Sequence, residues 1–159
     1  MSAVISECGK YRYRLIRDLG MMGDGACVFV MLNPSTADAM NDDPTIRRCI
    51  GYARTLGHAR LEVVNLFAYR STNPDALYAM SRDMAVGPEN DQHILEACKG
   101  ARTVICAWGN HGSQFGRASE VLPMLKVNGV RPMALKVNAK SGQPAHPLYL
   151  KSDAQPCAL

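Results

Sequence analysis

The stretch Cys27-Val28-Phe29-Val30-Met31-Leu32, running straight into Asn33-Pro34-Ser35-Thr36, sets the reading of the whole chain. Its apolar half shows no polar alternation, which marks a strand covered on both faces. Its polar half is turn sequence, so the chain leaves that strand abruptly. Two further runs repeat the pattern: residues 61–67 (Leu-Glu-Val-Val-Asn-Leu-Phe) and residues 102–108 (Arg-Thr-Val-Ile-Cys-Ala-Trp), the latter closed by Gly109. Residues 131–137 read as a fourth strand, and residues 11–19 alternate weakly, as an edge strand does.

Helical signals lie between these runs. Asp43 is a side-chain cap and Pro44 fits a first helical turn, where no amide hydrogen is needed. Ile46, Cys49, Ile50, Ala53 and Leu56 then form one apolar stripe, with Gly57 at its end. A short helical segment is expected near Leu77, and longer helices over residues 89–99 and 113–127. Strands alternating with helices at this spacing predict an α/β fold. The expected architecture is a three-layer αβα sandwich around a central, mainly parallel four-stranded sheet, with residues 1–159 as a single domain.

Composition narrows the class. A chain of 159 residues with 47% hydrophobic and 20% charged residues is neither disordered nor a coiled coil. No stretch reaches the ~18 apolar residues of a membrane span and nothing reads as a secretion signal, so a cytoplasmic protein without membrane contact is expected. A net charge of +4 permits contact with phosphate without requiring it. The cysteines at 8, 27, 49, 98, 106 and 157 have no Cys-x-x-Cys or paired-histidine spacing, so they read as reduced thiols and no metal site is expected. No cofactor motif occurs: there is no Walker loop, no Gly-x-Gly-x-x-Gly and no His-Glu-x-x-His. The acidic cluster Asp38, Asp42 and Asp43 reads as helix capping, and His58 and His93 as surface helical residues.

Right-handed crossovers bring the carboxyl ends of parallel strands to one edge of a sheet, where open α/β folds bind ligands. Four polar turns follow the four central strands here. They contain Asn33, Ser35 and Thr36; Arg70 and Ser71; Asn110 and His111; and the loop 138–146 with His146. Each is also an ordinary turn sequence. Asn65 is different, because it interrupts an apolar strand. A buried amide left without hydrogen-bond partners costs about 1–3 kcal/mol, so it meets either a loop backbone or a ligand with donor and acceptor edges, as a nucleobase has.

The segment from Met31 to Thr72, with Trp-Gly-Asn-His-Gly at residues 108–112 and Gly-Gln-Pro-Ala-His-Pro-Leu-Tyr-Leu at residues 142–150, resembles a bacterial and phage family known as domain of unknown function 1643 (DUF1643). The likeness covers nearly the whole chain. The order of motifs also resembles the mismatch-specific type of the uracil-DNA glycosylase superfamily. Asn33-Pro34 matches the core of its first motif, Asn65 its base-reading asparagine, Trp108-Gly109 a later strand end, and His146-Pro147 its closing loop. Met31 stands where that family carries glycine, and Asn33 where its most active branch carries aspartate.

That second resemblance implies a uracil-DNA-glycosylase-like fold acting on the N-glycosidic bond of a nucleobase, modified bases included. Asn33 and His146 would be catalytic, the first orienting water and the second donating to the base. Ser35, Thr36, Asn65, Arg70, Ser71, Asn110 and His111 would bind the substrate. The partner would be a nucleotide or nucleic acid, single-stranded or modified DNA among them, with no cofactor. A non-catalytic nucleotide or nucleic-acid sensor on the same fold fits the same residues, and an α/β domain whose strand-end polar groups satisfy one another is the plainest alternative.

Overall fold

The computed structural model describes all of residues 1–159. Its strands are β1 (Ser2–Ile5), β2 (Arg12–Asp18), β3 (Ala26–Met31), β4 (Arg60–Asn65), β5 (Thr103–Cys106), β6 (Pro132–Ala134) and β7 (Cys157–Ala158). The α-helices are α1 (Pro44–Thr55), α2 (Arg82–Val86), α3 (Asn90–Lys99) and α4 (Arg117–Val127). All seven strands form one mixed sheet in the order β1-β2-β4-β3-β5-β6-β7. Within it β4, β3, β5 and β6 run parallel, while β1, β2 and β7 are antiparallel to their neighbours.

The sheet is therefore wider than the four strands that the sequence predicts. The added strands β1 and β7 have four and two residues, too short to show a periodicity. Residues 11–19 are also not an edge, because β1 pairs along the outer side of β2 and β4 along its inner side. Such short end strands protect a sheet from pairing with other chains.

Alternation along the buried strands sends side chains into two cores. Cys27, Phe29 and Met31 of β3 join Leu61 and Val63 of β4 and Ile46, Cys49 and Ala53 of α1 on one face. Val28 and Val30 join Val64, Val104 and the apolar sides of α3 and α4 on the other. Helix α1 begins as its sequence dictates, with Asp43 Oδ1 accepting the Ile46 amide at 2.9 Å and Pro44 in the first turn. Helix α4 starts later than residue 113, because Phe115 and Gly116 adopt positive φ (55° and 65°) and break the helical path. His58 is buried just beyond α1 and faces the Asp24 carbonyl, so it is not a surface helical residue. His93 lies on α3 stacked against Tyr13, its ring centroid 4.8 Å away. No helix is long and apolar enough to cross a membrane.

The strand order also sets where a ligand can enter. From β3 the chain moves to β4 on one side, then passes to β5 on the other side of β3. The connections thus diverge at the carboxyl ends of β3 and β5, where a parallel sheet leaves a crevice.

Candidate functional site

A pocket of about 620 Å³ occupies that crevice, within the usual range of small-molecule sites. Asn33 and Ser35 enter it from the turn after β3, Asn65 from the end of β4, and Gly109, Asn110 and His111 from beyond β5. Lys136 and Asn138 follow β6, and Ala145, His146, Leu148 and Tyr149 close the side next to α1. Ser71 lies at the rim. Two expected contacts are missing. Thr36 is exposed and Arg70 turns away to the Gly9 carbonyl at 3.4 Å, so neither lines the pocket. Their turns carry the chain past the site with alternate residues facing outward.

Asn65 forms part of the floor. It is the last residue of β4 and only 1% exposed, yet its Nδ2 is buried without a hydrogen-bond partner. The backbone beyond it is fixed by Asn90, whose Nδ2 donates to the Asn65 and Leu66 carbonyls at 2.9 and 3.0 Å. The side-chain amide is thus held on a rigid strand end with a donor unsatisfied, although buried polar groups are almost always bonded.

Asn33 has a fixed orientation. Its Nδ2 donates to the Ser71 carbonyl at 2.9 Å and to the Pro34 carbonyl at 3.2 Å, which leaves Oδ1 as the free acceptor. His146 is also oriented. Its Nδ1 accepts the Leu148 amide at 3.3 Å, which places the ring proton of the neutral form on Nε2. Burial holds its pKa below the ordinary histidine value, and the charge of Asp43 partly opposes that shift. A neutral imidazole with an Nε2–H is a hydrogen-bond donor near pH 7, not a cation.

The Trp-Gly-Asn-His-Gly turn serves the scaffold as much as the pocket. Trp108 is 1% exposed and donates from Nε1 to Gln143 Oε1 at 2.8 Å, which ties the sheet to the closing loop. A Cβ at Gly112 would stand 2.0 Å from Trp108 Cδ1, so that glycine makes room for the indole rather than for a ligand. Gly109 has φ 75° and ψ −170°, a conformation that only glycine adopts easily. Asn110 Oδ1 accepts from Asn138 Nδ2 at 2.9 Å and Ser141 Oγ at 2.6 Å, joining two of the strand-end loops. His111 Nδ1 pairs with the Tyr78 hydroxyl at 2.7 Å on the outer rim.

Several pocket residues escape the sequence reading, Asp43 and Arg12 among them. Asp43 caps α1 and also lines the cavity. Its neighbours in the acidic cluster do other work, Asp38 folding back on the Met40 and Asn41 amides and Asp42 pairing with Arg17 at 2.7 Å. Arg12 arrives from β2 through a bulge. Val4 pairs with Arg14 and Ile5 with Arg12, so Tyr13 has no partner on β1 and the alternation of β2 is reversed beyond it. Tyr13 and Arg14 thus face α3, while Arg12 crosses to the pocket face and bonds the Ala37 carbonyl at 2.7 Å. A glycine-free strand gives no cue to this bulge. The proximity of residues 12 and 43 needs the tertiary fold.

No three of the His, Cys, Asp and Glu side chains gather in a metal-binding arrangement. All six cysteines are free, and burial pushes the Cys27 and Cys98 thiols up to about 12. The family model described as a protein of unknown function (DUF1643) matches residues 12–148 of the chain. No curated protein and no solved structure gives a significant match.

Proposed function

The chain belongs to the DUF1643 family, and from its pocket we propose that it binds a nucleobase-bearing ligand and hydrolyses the N-glycosidic bond. The unsatisfied amide of Asn65 carries this reading. A carboxamide offers a donor and an acceptor in one plane, the pattern that matches a base edge. Such an amide, buried at a pocket floor without partners, is explained if a ligand supplies them. The motif order shared with the uracil-DNA glycosylase superfamily (Asn33-Pro34, Asn65, Trp108-Gly109, His146-Pro147) supports the glycosidic part, and it stands on sequence alone.

The chemistry assigns each side chain a role. Water attacks C1′ of the sugar, the C1′–N bond breaks, and its electron pair leaves with the base. His146 Nε2–H hydrogen-bonds the base as negative charge develops there. Asn33 Oδ1 accepts a hydrogen bond from the water and orients it. Asn33 is no base, and the Asp43 carboxylate is the pocket group able to take the water proton.

The test is release of free base from nucleosides, nucleotides and short single strands carrying modified bases, followed by chromatography. Asp43→Asn should keep the α1 cap, since asparagine caps as well as aspartate, while removing the base. Its melting temperature should stay near that of the parent while release falls at least tenfold. Binding without release by the parent protein would favour the sensor reading instead. Neither binding nor release would remove both.

A further inference from the structure

Three arginines are buried in this protein, and only two of them have a counter-ion. Arg17, 2% exposed, pairs with Asp42 at 2.7 Å. Arg117, 1% exposed, pairs with Asp91 and Glu120 and also donates to the Leu66 carbonyl. Arg12 is 2% exposed and lines the pocket, yet no carboxylate lies within ion-pair distance of it. Its Nη1 bonds the Ala37 carbonyl, and its Nε is buried with no partner at all. Asp43 is the carboxylate that acts on it most strongly, but it lies beyond ion-pair reach and already accepts the Ile46 amide.

A buried, uncompensated cation is expensive, costing several kcal/mol in a protein interior. Burial pulls the Arg12 pKa down to about 10, which leaves the guanidinium charged at neutral pH. A strand bulge turns Arg12 to the pocket face, so the uncompensated charge stands at the cavity. Two unpartnered donors, Asn65 Nδ2 and Arg12 Nε, belong to the same cavity. One asks for a neutral acceptor and the other for an anion.

We infer that Arg12 anchors the phosphate of a nucleoside monophosphate whose base lies on Asn65. The inference rests on the nucleobase reading above and adds the ligand class. Guanidinium is well matched to phosphate because its planar edge donates to two oxygens at once. A phosphate monoester also suits the depth of Arg12. It ends the ligand inside the pocket, whereas a phosphodiester reaching a buried arginine would need the strand to leave on both sides. Lys136, exposed at the mouth, adds a second positive charge.

Calorimetric titration of the whole protein tests this, using the four common ribonucleosides, their 5′-monophosphates, ribose 5-phosphate, inorganic phosphate and an eight-nucleotide single strand without terminal phosphate. At least one monophosphate should bind roughly ten- to a hundredfold tighter than its nucleoside, the range of a charge-assisted hydrogen bond. Arg12→Met should reduce that advantage to below about twofold while nucleoside affinity is kept, and Arg12→Lys should retain part of it. Without ligand, Arg12→Met should melt no lower than the parent, since an uncompensated buried cation has been removed. Equal affinity for nucleoside and monophosphate would overturn the inference and leave the nucleobase reading intact. Ribose 5-phosphate or inorganic phosphate binding as tightly as any monophosphate, and depending on Arg12, would do the reverse. Tighter binding of the single strand than of every monophosphate would overturn the inference in favour of a polymer. A marked loss of stability in Arg12→Met would make Arg12 a structural residue and refute it, as would absence of all binding.

Discussion

Replacing Asn65 by leucine separates a ligand-facing amide from a structural one. The two side chains have the same number of heavy atoms and the same branching, so shape changes little and the pocket accommodates the added bulk. In the parent, Asn65 Nδ2 is a buried donor without a partner on a residue 1% exposed. An unsatisfied donor costs about 1–3 kcal/mol, and leucine removes it. At about 2–4 °C per kcal/mol for a domain this size, the melting temperature should rise by roughly 2 to 12 °C. Affinity for the preferred nucleoside or nucleotide should fall by about 1–3 kcal/mol, or roughly 5- to 150-fold, with weaker discrimination among bases. Differential scanning calorimetry and calorimetric titration on the same preparation read both quantities. A variant that melts several degrees lower and binds unchanged would refute the reasoning, because the amide would then be holding the fold together.

Gly112→Ala should destabilise by about 1–3 kcal/mol, since a Cβ 2.0 Å from Trp108 Cδ1 must displace a fully buried indole. The fluorescence of that single tryptophan should shift as its bond to Gln143 is lost, while an unchanged spectrum and melt would count against the packing argument. Acidification below about pH 6.5 should lower stability through two histidines. Burial holds His58 and His146 below the ordinary histidine pKa, so between their folded values and about 6.5 the unfolded chain binds more protons. Their contribution is complete above about pH 6.5 and is lost as pH falls through the folded values. Melting temperatures from pH 8 to 5 should show the decline, and His58→Gln should flatten it; an unaltered slope would contradict this assignment.

The parallel strands and the first long helix were legible because each depends on local sequence. Continuous apolar runs marked β3, β4 and β5, and Asp43-Pro44 marked the start of α1. Strand-end polarity likewise located most of the pocket, including Asn33, Asn65, Asn110 and His146. The rest depended on distance in space. Nothing around Ser2-Ala3-Val4-Ile5 says that it will pair with β2, and the weak alternation of β2 does not reveal a bulge at Tyr13. Asp43 could be read as a cap, which it is, but its second role needs the cavity wall that the loop 145–150 supplies. Glycines were ambiguous for the same reason. Gly112 reads as freedom for the backbone, while in the fold it is space for a ring.

The bulge in β2 also bears on how this kind of site can change over evolutionary time. The parallel strands end in the uncharged amides of Asn33 and Asn65, whereas the buried guanidinium comes from an antiparallel hairpin at the sheet margin. Scaffold and charge therefore sit on separately exchangeable parts. Deleting Tyr13 would remove the bulge and keep Arg12 on the pocket face. Straightening β2 at its present length would instead turn Arg12 toward the α3 side, leaving the amides in place. A relative with a straight β2 of the same length would keep the same crevice and lose the buried guanidinium from it. The charge of such a cavity can thus change through the shape of a strand at the sheet margin, without any substitution in the pocket itself.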